Sequence, residues 1–219
     1  STLKAASKQS QNIYFQTKSI KTNFDDVANC TTNYMPIPLK LVDKSSFDYH
    51  APLLTAQNDN DICILLFGIN HASKDTATLL QALRLIRSRN LKIFHRIRLI
   101  VAGVQVTDGN RITGEDISKE FQRVTVLNQT ISEEHKIMLY DFCDFSFAGF
   151  KKTFMSSSGT VNDCLELQTP VITSSHLEIA DYLVGHQSAT LYEAEDSQSL
   201  YTAMIAAFSK NRRQATKIR

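Results

Sequence analysis

Residues 61–67 read Asp61-Ile62-Cys63-Ile64-Leu65-Leu66-Phe67 and run directly into Gly68. The apolar run is too short for an ordinary helix and shows no alternation of apolar and polar side chains. A strand with one wet face alternates, whereas a strand covered on both faces does not. The run therefore predicts an interior strand of a parallel sheet sandwiched between two layers. Further strand candidates follow at Ile97–Ala102, Arg123–Leu127, Asp144–Ala148, Pro170–Ser174 and Ala189–Tyr192.

Helical patterns fall between these runs. Asp75–Arg89 sets Leu79, Leu80, Leu83 and Ile86 on one stripe. Ser132–Phe142 opens with a Ser cap followed by Glu133 and Glu134, where carboxylates favour the positive end of the helix dipole. Ser158–Leu167, Leu177–Leu183 and Ser197–Ser209 complete the set. Strand and helix in alternation predict an open, doubly wound Rossmann-like parallel sheet of the α/β class.

The first sixty residues differ. Asn12–Gln16 suits a strand and Lys18–Val27 a short helix, and Pro36 and Pro38 then enforce extended chain. The organisation expected is the tail end of another αβ domain over 1–40, a polar linker over 41–60, the main domain over 61–209 and a basic tail over 210–219.

The composition, 42% hydrophobic and 21% charged over 219 residues, is that of a globular chain able to bury its own core. A net charge of +2 makes no case for nucleic acid. No apolar run is long enough to span a bilayer, and no basic-then-apolar leader opens the chain. The chain begins at Ser1 and reads as a piece of something longer. A cytoplasmic setting is expected. Lys210, Arg212, Arg213, Lys217 and Arg219 form a solvated helix end, or secondarily a peripheral contact with an anionic membrane face. Cys30, Cys63, Cys143 and Cys164 lack metal-ligand spacing, and Cys63 and Cys143 fall in strand-like runs, so buried free thiols are expected. The sequons at Asn29 and Asn128 are discounted.

Three stretches in order resemble the C-terminal domain of group 1 family retaining GT-B glycosyltransferases. The first is Leu66-Phe67-Gly68, then Lys74, then Thr78-Leu79-Leu80-Gln81-Ala82-Leu83. The second runs from Ile97–Gly103 through Val124–Leu127 and Ser132-Glu133-Glu134 to Leu139-Tyr140 and Cys143-Asp144. The third is Ser158-Gly159-Thr160-Val161-Asn162-Asp163 leading into Leu167-Gln168-Thr169-Pro170-Val171-Ile172, similar to the family's GxxxxEAmaxGtPVI block. Glu178-Ile179 lies near a further acidic position of the family.

The resemblance implies a donor domain for a nucleotide-diphosphate sugar, working without a cofactor or a protein-bound metal. By it Lys74 meets the diphosphate and stabilises the leaving group. Ser158, Gly159 and Thr160 open a helix whose free amides suit phosphate, and Asp163 takes the ribose. Lys74 and Asp163 are thus the candidate catalytic pair, with Ser158, Gly159 and Thr160 beside them in binding. Three positions depart from the family: Ile69 stands where it has Arg, Met155 where it has Glu, and Asp163, with shorter reach, where it has a second Glu. Lys151 and Lys152 are solvated charges or further phosphate contacts, and His176 follows a strand at the ligand-binding edge. The implied partners are the nucleotide sugar, a glycan or lipid-linked acceptor, and an N-terminal GT-B domain, as in polysaccharide biosynthesis. The chain alone is expected not to turn over. Two other readings stay open: a non-catalytic GT-B-like scaffold with a degenerate donor site, and an unrelated doubly wound nucleotide-binding domain.

Overall fold

A computed structural model describes residues 12–15, 21, 31–34, 58, 60–107, 111–154, 156, 158–177, 180–183 and 188–211. The expectations for Cys30, Met155, Glu178-Ile179, the linker up to residue 57 and the tail beyond 211 lie outside them. So does the helix over 18–27, apart from helical Lys21.

Six strands form one parallel sheet: β3 (Ile62–Phe67), β4 (Ile97–Ala102), β5 (Val124–Leu127), β6 (Phe145–Ala148), β7 (Val171–Ser174) and β8 (Ala189–Tyr192). Their order is β5-β4-β3-β6-β7-β8. The chain thus builds outward from β3 in one direction, then returns to its other side and builds outward in the opposite one. Earlier in the chain, β1 (Asn12–Phe15) and β2 (Thr31–Tyr34) pair in parallel as a separate two-stranded sheet. The expected strand over 12–16 matches β1. β2 went unread because Thr31, Thr32 and Asn33 carry no apolar run.

The unbroken apolar pattern of β3 has the expected cause. Ile62 and Ile64 enter one core with Leu79, Leu83 and Ile86 of α1 (Thr76–Arg89). Cys63 and Leu65 enter a second core with Ile137 and Tyr140 of α4 (Glu133–Phe142) and Val161 and Cys164 of α5 (Gly159–Glu166). The first face also carries α7 (Ser197–Asn211), through Leu200, Met204 and Phe208. Alternate residues of one strand thus serve two helical layers, and no position is left to be polar. Ser132 caps α4 as expected, accepting from the His135 amide at 3.3 Å.

Two helices escaped the sequence pattern: α2 (Leu91–Phe94) and α3 (Gly114–Glu120). α3 buries only Gly114 and Ile117, so it has no stripe to detect. Its signal is a capping box, in which the Thr113 hydroxyl accepts from the Asp116 amide while the Asp116 carboxylate accepts from the Thr113 amide. The Leu177–Leu183 pattern yields the short α6 (Ala180–Leu183). Cys63, Cys143 and Cys164 are buried free thiols. Cys143 terminates α4 rather than joining a strand, because it still donates to the Leu139 carbonyl. Among the described residues no helix is long and apolar enough to cross a membrane.

Past the ends of β3 and β4 the backbones meet. Gly68 has φ +90° and Gly103 φ +126°, a region that side chains rarely tolerate. A Cβ at Gly103 would stand 2.7 Å from both the carbonyl carbon and oxygen of Gly68. Gly103→Ala therefore combines backbone strain with a backbone clash. Urea unfolding should show a loss of about 2–4 kcal/mol at unchanged slope. A loss under about 1 kcal/mol, within the range of ordinary substitutions, would mean that the close approach does not constrain the fold.

Candidate functional site

Strand order reverses between β3 and β6, and crevices in open α/β sheets form outside the carboxyl ends of strands at such a point. The loops leaving β3 and β6 border it. They are laced together by two backbone bonds, Asp75 N–H to the Gly149 carbonyl at 3.0 Å and Lys151 N–H to the Ser73 carbonyl at 2.8 Å. The loop after β4 joins them through Asn70, whose side chain accepts from the Val106 amide at 2.6 Å and donates to the Val106 carbonyl at 2.9 Å. A buried side-chain amide thus satisfies a loop backbone that has no ladder to satisfy it.

Asp75 fixes the far side. Its side chain makes no cap bond to its own helix. Instead the buried carboxylate accepts from the Tyr192 hydroxyl at 3.1 Å and from the Glu195 amide at 3.0 Å. The start of α1 is thereby tied to the end of β8. Tyr192 also lies 3.3 Å from the Ser174 hydroxyl, which in turn accepts from the Phe150 amide at 2.8 Å.

Lys74 stands at this crossing. Its ammonium turns inward and donates to the Phe67 carbonyl at the end of β3. Burial depresses its pKa to about 8, and the neighbouring Cys164 on α5 opposes that only weakly. Desolvation likewise pushes the Cys164 thiol up to about 12. The cavity among Gly68, Asn70, Lys74, Gln105 and Gly149 holds about 20 Å³, space for roughly one water.

α5 presents the second part. Ser158 is buried at its N-cap and accepts from the Val161 amide at 3.2 Å. The amides of Gly159 and Thr160 have no acceptor among the described residues. A Cβ at Gly159 would meet nothing within 4 Å, and its φ is ordinary. Packing therefore does not require glycine there, and its effect is to leave the helix end open to an approaching group.

Asp163 faces α4 rather than Lys74. Its carboxylate lies 3.1 Å from the Lys136 ammonium, which also reaches Glu133 at 2.8 Å. Burial raises the Asp163 pKa, with Lys136 pulling the other way. Lys74 and Asp163 thus have separate partners, the Phe67 carbonyl for one and the Lys136 ammonium for the other. Lys152 pairs with Glu193 at 3.4 Å. Ile69 is 54% exposed.

Two groups here carried little weight in the sequence. Lys136 falls on the same helical face as Tyr140, four residues on, and that spacing could have revealed it. Both ring nitrogens of His176, just past β7, are buried without a hydrogen-bond partner among the described residues, as is the Tyr140 hydroxyl. Nothing in a lone loop histidine announces that. Among the described residues no three His, Cys, Asp or Glu side chains gather as metal ligands do.

By sequence, no protein-family model and no curated protein matches this chain. Solved structures do match. A UDP-forming α,α-trehalose-phosphate synthase from Burkholderia xenovorans superposes with a TM-score of 0.75 at 16% identity, over 94% of this chain and 55% of that one. Sucrose-phosphate synthase from Thermosynechococcus elongatus gives 0.69 at 16% identity, over 95% and 52%. The N-terminal domain of Candida albicans trehalose-6-phosphate phosphatase gives 0.71 at 13% identity, over 90% and 50%. The chain therefore spans about half the length of the structures it matches. At these identities the likeness is one of fold: a Rossmann-like parallel sheet with flanking helices, matching GT-B domains.

Proposed function

We propose that this chain is the donor-binding half of a GT-B glycosyltransferase. It takes a nucleotide-diphosphate sugar and presents the hexosyl group to a glycan or other acceptor held mainly by an N-terminal body. The carrying observation is the crevice at the reversal of strand order, with the inward ammonium of Lys74 and the open start of α5 both on its border. Support comes from the folds matched, two of which belong to proteins named as a UDP-forming trehalose-phosphate synthase and a sucrose-phosphate synthase. Residues 1–40 are read as the tail of the N-terminal body, 41–60 as the linker and 61–209 as the donor domain.

In this reading the diphosphate lies against the Gly159 and Thr160 amides, where the helix dipole and donors with no acceptor among the described residues favour anionic oxygens. Lys74 exchanges the Phe67 carbonyl for a phosphate oxygen, a charge-assisted bond stronger than the one it leaves. It thereby opposes the charge that grows on the leaving nucleotide. Ser158 holds the helix start in place, and Asp163 accepts from the ribose once Lys136 turns to Glu133. The reaction is retaining and needs no protein-bound metal, and the half-site alone does not turn over.

A second reading, a non-catalytic assembly module, rests on two observations. Ile69 is exposed where the resemblance calls for a guanidinium, and Asp163 is already occupied by Lys136.

Calorimetric titration with UDP, GDP and ADP separates the two. One nucleotide should bind saturably. Lys74→Met and Gly159→Ala should each weaken it by at least about tenfold, or some 1.4 kcal/mol. Gly159→Ala is the sharper probe, because the fold has room for the methyl group and only a ligand would feel it. Absence of binding to a chain shown to be folded would assign it to the second reading.

The pH dependence gives an independent check. Lys74 is charged below about pH 8 in the free chain, so diphosphate affinity should fall as pH rises through that value and stay flat in Lys74→Met. Stability moves the other way. The folded pKa lies below the unfolded one, so between about pH 8 and 10.5 the unfolded chain binds more protons. The wild type should therefore gain stability relative to Lys74→Met across that window, measured by urea unfolding. A flat difference would mean that the ammonium is not buried.

A further inference from the structure

A second concavity lies at the opposite end of the sheet, over the amino ends of β4 and β5, where the short α2 and α3 leave the helical layer incomplete. It encloses about 370 Å³, at the small end of the range for small-molecule sites. Leu83, Ile97 and Leu99 make its floor. Phe94 and Phe121 wall it, their ring centroids 5.8 Å apart and their planes tilted by 52°. Leu91 stands at its lip, 54% exposed on a helix that buries none of its residues.

Charges at the rim narrow the occupant. Glu120 is gripped by Arg84 through two bonds of 2.6 and 2.7 Å. Arg123 is committed to Asp61 at 2.7 Å and to the His95 carbonyl at 2.8 Å. Arg87 remains. Its guanidinium carbon lies 5.8 Å from the centre of the Phe94 ring, and it has no carboxylate bonded to it among the described residues. Its field reaches Glu120, but that carboxylate is already satisfied by Arg84. A cation with no bonded carboxylate among the described residues, over an aromatic-walled hollow, complements a molecule with one negative charge and a flat apolar body. A second negative charge would meet Glu120 on the same rim.

We propose that this groove binds a small amphipathic monoanion of the aromatic-carboxylate class, with its carboxylate on Arg87 and its ring against Phe94 and Phe121. The site is separate from the crevice at the carboxyl ends of the strands and does not rest on the nucleotide-sugar reading. Guanidinium and carboxylate match as planar forks, and the apolar body removes the aromatic walls from water.

The test titrates 2-naphthoate into the full chain by calorimetry, with 2-naphthalenemethanol as the uncharged analogue. Arg87→Ala and Leu91→Glu change only exposed positions, and matching unfolding curves would show both variants folded. One saturable site is expected, weakened at least about tenfold by each variant and by loss of the ligand's charge. Absence of saturable 2-naphthoate binding to the wild type, or unchanged affinity in Arg87→Ala, would overturn the proposal.

Discussion

The constraint on which the rest depends is the parallel pairing of β3 on both of its edges, with β4 on one side and β6 on the other. A strand hydrogen-bonded on both edges and packed on both faces has no solvent contact to spend on polar side chains, which is why it reads as six apolar residues. The same pairing fixes where the chain reverses its direction of building. Loops that would otherwise run in parallel must diverge there, and the crevice is the space they leave. Gly103 lets its loop meet the backbone of Gly68, an approach that a side chain at Gly103 would block.

Polar groups at the crevice are costly in isolation and are kept because each has a partner fixed by another strand. Asp75 is buried as a carboxylate, and it is held by donors from beyond β8 rather than by its own helix. Asn70 closes on Val106 across the sheet edge. Lys74 is the costliest of them, since one carbonyl does not replace the water an ammonium loses, and its depressed pKa records that imbalance. A group held in an environment less favourable than water has more to gain from an incoming anion than a solvated lysine does. Perturbed titration of this kind also arises in purely structural networks, so what distinguishes Lys74 is its position at the reversal of strand order.

Much of the architecture was legible from the sequence because its long elements carry their own signals. β4 and β8 match the expected bounds, and β3, α1 and α4 differ only at a first residue that turns out to flank or cap the element. Elements whose stability comes from elsewhere were invisible. α3 is held by a capping box and one buried isoleucine, and β2 by its partner β1 alone. What the structure adds to the expected site is orientation. The resemblance singled out Lys74, Ser158, Gly159, Thr160 and Asp163, yet the inward turn of Lys74 and the capture of Asp163 by Lys136 depend on contacts between distant segments. No spacing rule encodes a bond between residues 27 positions apart.

The two ends of the sheet use their charges in opposite ways. At the amino ends, Arg123 and Arg84 meet carboxylates directly, and such pairs set geometry without asking for a ligand. At the carboxyl ends, among the described residues, Lys74 is bonded to a backbone carbonyl rather than a carboxylate, and two helix amides meet nothing. Unspent donors accumulate where strands end because parallel strands all point their last residues, and the starts of the following helices, toward the same side. Electrostatic demand for an anion is thus built into the topology before any particular side chain is chosen. Arg87 is the exception that makes the other end of interest. It is a cation with no bonded carboxylate among the described residues, beside an apolar hollow bordered by the short α2 and the end of α3.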